Sequence, residues 1–187
     1  MVKKVKSCIF ISGTGTNLTY IIKNSRDHNF PIKIELVISN NPNAKGIKLA
    51  KKYGIPVKFF SYENKKKFER NCLIEIKNRK IKFICLAGFM KKLSKNFIRS
   101  FGHQIINIHP SLLPKFKGLN THERVLKSRE KFSGCTVHYV TPKLDSGKII
   151  LQKKIELAKN ETSKSLRNKI LTLEHKLYSQ SIRAIFK

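Results

Sequence analysis

What most restricts the fold of this chain is the alternation of short apolar runs with longer amphipathic segments. Ser7 to Ser12 and Phe83 to Leu86 are almost wholly apolar, and Ile32 to Ile38, Val57 to Phe60 and Ile105 to Ile108 are further strand candidates. A strand with no polar face has to be covered on both sides, which a parallel sheet with crossover helices provides. The covering segments are present. A helix is expected to begin near Leu18, a second spans Lys45 to Tyr53 with Gly54 as its stop, and a charged third spans Glu63 to Asn78. Asn96 to Phe101 and Thr121 to Lys127 read as shorter helices. The rhythm then changes, because Thr136 to Val140 and Ile149 to Gln152 are joined across the turn from Pro142 to Gly147, as in an antiparallel pair. From Ser163 onward Leu166, Ile170, Leu173 and Leu177 recur at helical spacing. The expected class is α/β, with a mostly parallel central sheet, helices on both faces and a closing antiparallel strand pair.

At 187 residues and 40% hydrophobic content, with no linker or repeat, residues 1–187 are expected to form one domain. The start from Met1 to Lys6 is basic, but Cys8-Ile9-Phe10-Ile11 is too short for the apolar part of a signal peptide, and no run reaches membrane-spanning length. A cytoplasmic protein without a membrane partner is expected, as a monomer or homodimer. Cys8, Cys72, Cys85 and Cys135 show no metal or disulfide spacing and read as buried thiols. The formal charge of +29 raises nucleic acid as a partner. The lysines are nevertheless spread along the whole chain, with Lys65-Lys66-Lys67 as the one triple, and no RNA-recognition, KH or zinc-finger signature accompanies them. They read as a solvated surface with no specific nucleic acid partner, whose field attracts small anionic substrates.

Asn107-Ile108-His109-Pro110 follows the apolar pair Ile105-Ile106, so an amide and an imidazole at i and i+2 point to the same side of a strand end. Pro110 ends the strand and leaves both groups at its mouth. Transfer of an acyl group between two nitrogens needs donors aimed at the developing oxyanion and a group that moves a proton from the attacking to the leaving amine. Asn107 supplies a donor, and His109 supplies a donor and a proton carrier if a carboxylate supports its charged form. Asp145, in Leu144-Asp145-Ser146-Gly147, is that candidate. Ser111 lacks a nucleophile elbow and reads as a loop hydroxyl, and His122 and His138 read as satisfying local structure, His138 in support of the site. No metal is expected, since His109, His122, His138 and Asp145 show no ligand-type spacing.

Gly13-Thr14-Gly15-Thr16-Asn17 turns the first strand into its helix. It lacks the third glycine of a dinucleotide fingerprint and the lysine of a P-loop. Two readings stay open: a cradle for one phosphate monoester, with Thr16 and Asn17 adding side-chain ligands, or a tight turn without a ligand. On the first reading, valine at Gly15 closes the cradle and leaves Asn107, His109 and Asp145 in place.

Ordered blocks over nearly the entire chain carry a family resemblance. Ile11 to Leu18, Asn40-Asn41-Pro42-Asn43-Ala44, Leu86-Ala87-Gly88-Phe89-Met90, Asn107 to Pro114, Gly134-Cys135-Thr136-Val137-His138, Leu144 to Gly147 and Glu174-His175 resemble phosphoribosylglycinamide formyltransferase. The resemblance implies a Rossmann-like formyltransferase fold and transfer of the formyl group of 10-formyltetrahydrofolate to the amine of 5'-phosphoribosylglycinamide. It puts the catalytic roles on Asn107, His109 and Asp145 and the substrate phosphate on Gly15, Thr16 and Asn17. It also implies that Glu174 holds the ribose and that Met90 lies between substrate and folate. The folate pocket then involves Met90, Lys91, Lys92, Leu93, Asn107, Thr141, Leu144 and Asp145, with Lys65 at the glutamate tail. Lys91 stands where arginine is common, Lys92 where an aliphatic residue is common, and Thr16 where serine is usual. Methionyl-tRNA formyltransferase shares the Asn-x-His and Asp chemistry and is the alternative. Its loop after Pro114 reads differently from Lys115-Phe116-Lys117-Gly118-Leu119-Asn120, and 187 residues are not expected to hold a second, tRNA-binding domain. A basic nucleic-acid-binding module is the remaining rival.

Overall fold

The computed structural model describes residues 4–187; the start from Met1 to Lys3 lies outside the described residues. In chain order the elements are β1 (Val5–Ile11), α1 (Thr16–Ser25), β2 (Ile32–Ser39), α2 (Lys45–Lys52), β3 (Val57–Phe59), α3 (Lys65–Asn78) and β4 (Phe83–Leu86). They continue as α4 (Lys95–Phe101), β5 (Gln104–His109), α5 (Thr121–Lys127), β6 (Phe132–Tyr139), β7 (Ile149–Glu156) and α6 (Ser163–Ile185). The seven strands form one sheet in the order β3-β2-β1-β4-β5-β6-β7. Strands β1 to β5 pair in parallel, and β6 is antiparallel to both β5 and β7.

Alternate residues of the inner strands feed two cores, as the pleat requires. Ile9, Ile11, Phe83, Cys85, Ile106 and Ile108 pack with Leu18 and Ile21 of α1, Ala50 of α2, Val125 of α5 and Leu166, Ile170 and Tyr178 of α6. On the opposite face Cys8, Phe10, Ile84, Leu86 and Ile105 meet Phe68 and Cys72 of α3 and Phe97 and Phe101 of α4. Asn107 and His109 continue the parity of Ile105, so they emerge on the α3 and α4 face, beyond the part that those two helices cover. Tyr178, fully buried on α6, donates its hydroxyl to the Leu86 carbonyl at 2.9 Å and fastens the last helix across the sheet. All four cysteines are buried and free.

The antiparallel strands are longer than their sequence pattern indicates. β6 begins at Phe132, and β7 runs on to Glu156 through Gln152-Lys153-Lys154. The reason is the position of β7 at the sheet edge, where Ile150, Leu151 and Ile155 are only partly covered and the other residues are exposed, so a strict apolar alternation is not needed and lysines suit the free backbone row. Gly134 of β6 is held by close approach: a Cβ there would lie 2.0 Å from the Lys153 carbonyl oxygen.

At Gly15 a side chain would do more than close a cradle. Its φ is +76°, and an added Cβ would lie 2.6 Å from Cα of Gly46, at the start of α2, whose N–H donates to the Gly13 carbonyl at 3.1 Å. Glycine is required at Gly15 because two backbones touch there, and a side chain collides with main chain. Gly15→Val is therefore expected to destabilise the fold by about 3 kcal/mol or more, from a strained φ plus overpacking. A chemical denaturation curve measures this, and a variant of native stability would show that the two backbones can move apart.

Candidate active site

The three residues chosen from chemistry meet. Asn107 and His109 end β5, and Asp145 reaches them from the turn between β6 and β7 with its carboxylate Oδ2 3.4 Å from His109 Nδ1. Asp145 sits at φ +43° and is nearly buried, and its Oδ2 also accepts the Gly118 N–H at 2.9 Å. Lys117 Nζ donates to Ser146 Oγ at 2.6 Å, so the loop after β5 and the turn after β6 clasp each other. On the other edge of the imidazole, Nε2 of His109 lies 2.9 Å from the Phe116 carbonyl. Both ring nitrogens thus face oxygen atoms, Nε2 the Phe116 carbonyl and Nδ1 the Asp145 carboxylate.

Behind the trio the loop is fixed by buried polar groups. Thr136 Oγ1 donates to the Ser111 carbonyl at 2.6 Å and accepts from the Leu113 N–H, while Gln152 Nε2 donates to the Leu113 carbonyl. Ser111 is fully buried and donates its hydroxyl to the Lys115 carbonyl, which places it in the loop and not in the chemistry.

Asn107, His109 and Asp145 line one cavity of about 610 Å³. Met90, Lys91, Lys92, Leu93, Thr141 and Leu144, all assigned in advance to a folate pocket, line it as well. Leu86, Phe89 and Val140 add apolar wall. Lys65 does not line the cavity; it opens α3. Met90 is 64% exposed, and its N–H donates to Ser12 Oγ, which ties the cavity wall to the glycine turn.

Gly15, Thr16, Asn17 and Glu174 stand apart from the cavity lining. Glu174 occupies a core-facing position of α6 between Ile170 and Leu177, and its Oε2 accepts from Asn17 Nδ2 at 2.7 Å. Burial pushes its carboxyl up from 4.5 to about 7, against the opposing pulls of the Asn17 bond and Arg167. Between those two values the folded chain keeps a proton that the unfolded chain has shed. Stability from this group is therefore fully present below about 4.5 and is lost as pH rises through about 7. Wild type should lose roughly 3 kcal/mol more than Glu174→Gln across that window. Parallel stability profiles for the two proteins would contradict this.

Four participants had little or no sequence signal. The Phe116 carbonyl and the Gly118 N–H are backbone groups, invisible in side-chain chemistry. Arg167 and His122 also line the cavity, and burial and Arg167 both push the His122 imidazole down. The spacing of Arg167 and Glu174, two helical turns apart on α6, was the available clue. Among the described residues no group of three or more His, Cys, Asp or Glu side chains is arranged to hold a metal ion, and no helix is long and apolar enough to cross a membrane.

Acyl transfer without a nucleophilic side chain defines the class at which this geometry points: a transferase whose substrates supply both nitrogens. Residues 5–182 match the family model described as Formyl transferase, and the chain belongs to that family. It is 36% identical to the phosphoribosylglycinamide formyltransferase of Bacillus subtilis over 96% of this chain and 94% of that protein. It is likewise 36% identical to the human trifunctional purine biosynthetic protein adenosine-3, over 98% of this chain but only 18% of that longer protein. The crystal structure of phosphoribosylglycinamide formyltransferase from Brucella melitensis superposes with a TM-score of 0.92 at 37% identity, covering 98% of this chain and 96% of that one. The Rossmann-like formyltransferase fold is shared with it.

Proposed function

We propose that this protein transfers the formyl group of 10-formyltetrahydrofolate to the amine of 5'-phosphoribosylglycinamide, a step of purine (IMP) synthesis in the cytoplasm. The observation that carries the proposal is the meeting of Asn107, His109 and Asp145 in one apolar-walled cavity. The cavity suits the formyl donor: leucines, Phe89 and Val140 match a flat heteroaromatic body, and exposed Lys91, Lys92 and Lys143 match an anionic tail. The folate supplies an activated formyl group on nitrogen.

Asn107 donates its amide hydrogen to the formyl oxygen as the amine adds and charge collects there. His109 works through Nδ1, the edge that it shares with Asp145, because Nε2 is held by Phe116. The 3.4 Å separation is looser than a hydrogen bond, as is common before substrate tightens such contacts. Asp145 balances the imidazolium, and the pair takes a proton from the attacking amine and returns one to the leaving nitrogen. Met90, between the cavity and the glycine turn, separates the two substrates. Glu174 and Asn17 then meet the ribose, and the N–H groups at Gly15 and Thr16 meet the phosphate at the start of α1. On this reading Lys65 contacts only the far end of the folate tail.

The experiment is a formyl-transfer assay with purified protein, 10-formyltetrahydrofolate and either glycinamide ribonucleotide or formylatable Met-tRNA as acceptor. Turnover with the ribonucleotide is expected. Exclusive activity with the tRNA would overturn the proposal.

A further inference from the structure

Asn107 has a partner that fixes which way its amide faces. It stands directly opposite His138 in the antiparallel ladder of β5 and β6, and both side chains line the cavity. His138 is 2% exposed. Its Nδ1 lies 2.9 Å from the Tyr139 carbonyl oxygen, which only accepts, so Nδ1 carries the proton. In the neutral ring Nε2 is left with a lone pair. The group 3.3 Å from it is Asn107 Nδ2, a donor. Asp145 Oδ1 is 3.7 Å from the same Nε2, beyond bonding distance.

We propose that His138 is a positioning residue for formyl transfer: its Nδ1–H tautomer presents Nε2 as the acceptor that holds the Asn107 amide, leaving the second amide hydrogen for the formyl oxygen. The inference rests on the formyl-transfer reading of the site. A pinned amide needs no reorganisation as charge develops, which is where such donors gain their effect.

Protonation of Nε2 would turn the acceptor into a donor, release Asn107 and draw the ring toward Asp145 Oδ1. Burial pushes the imidazole down and keeps it neutral. Of the charged groups that face it, Asp145 favours the extra proton, while His109 and Lys117 oppose it. The acid limb of the rate profile should accordingly include loss of the Asn107 contact.

Nitrogen NMR of imidazole-labelled wild-type protein at pH 7.5 is expected to show His138 as the Nδ1–H tautomer. The Nε2–H form would overturn the proposal, and this measurement decides even if variants fold poorly. His138→Leu removes the acceptor, and its kcat should fall roughly 100-fold while KM for both substrates stays within about threefold. His138→Gln offers an amide oxygen near the place of Nε2 and should recover about tenfold of that loss. It should also lack the part of the acid limb that belongs to His138. Equal losses in both variants, or an unchanged rate in His138→Leu, would sink the idea. A wild-type protein without formyl transfer would refute the parent reading and leave the tautomer result to judge the positioning contact alone.

Discussion

Asp145→Asn is expected to lower the rate of formyl transfer by roughly 1000-fold while changing affinity for the ribonucleotide only a few fold. The side chain keeps its shape, so Gly118 N–H retains an acceptor and the clasp between the two loops survives. What disappears is the negative charge 3.4 Å from His109 Nδ1. Without it the ring has no counter-ion for the proton that must travel between the two nitrogens. A second effect adds to the first. An amide at this position brings N–H donors to the place of Oδ1, 3.7 Å from His138 Nε2, where they compete with Asn107 for the same lone pair. Single-turnover rates and equilibrium binding separate chemistry from affinity. Near-normal transfer across neutral pH would mean that the carboxylate is only a turn residue.

The second large effect is expected at a position with no functional group at all. A Cβ on Gly147 would lie 1.7 Å from the Tyr139 carbonyl oxygen and 2.7 Å from its carbon, and both are main-chain atoms that cannot swing aside. Gly147→Ala must therefore push the turn off the end of β6, where the Tyr139 N–H donates to the Lys148 carbonyl at 3.0 Å. Asp145, two residues earlier, moves with it. The expected outcome is a loss of about 2–4 kcal/mol in stability together with a collapse in turnover. Thermal melts and kcat measured on the same preparation test both parts. An alanine variant with native Tm and native rate would show that the turn is free to relax.

Both predictions bear on how far the site was legible in advance. Asn107 and His109 could be paired from their spacing, because the period of a strand is a local property of the backbone. Asp145 could also be singled out as the carboxylate, since no other acid follows a strand with the same Ser-Gly turn chemistry. Its distance from His109 was not, because that depends on where the β6 to β7 turn lands. Gly15 is a different case. Its glycine character was plain, but its touching partner Gly46, thirty-one residues away in the chain, was not. Close approach of two backbones leaves a glycine at each end and no mark that links them. The extent of β7 was missed for a related reason, since an edge strand that is only partly covered carries no strict apolar alternation to read.

The sequence by itself determined the inner parallel strands, the helices that cover them, and the side chains able to do the chemistry, because each follows from local periodicity or from functional-group type. Tertiary structure alone decided which polar atoms face one another. It set the Phe116 carbonyl against His109, the Gly118 N–H on Asp145, His138 behind Asn107 and Asn17 on the buried carboxyl of Glu174. The physical reason is that hydrogen bonds and desolvation act over a few ångströms in space, whereas the groups they join are set tens of residues apart along the chain.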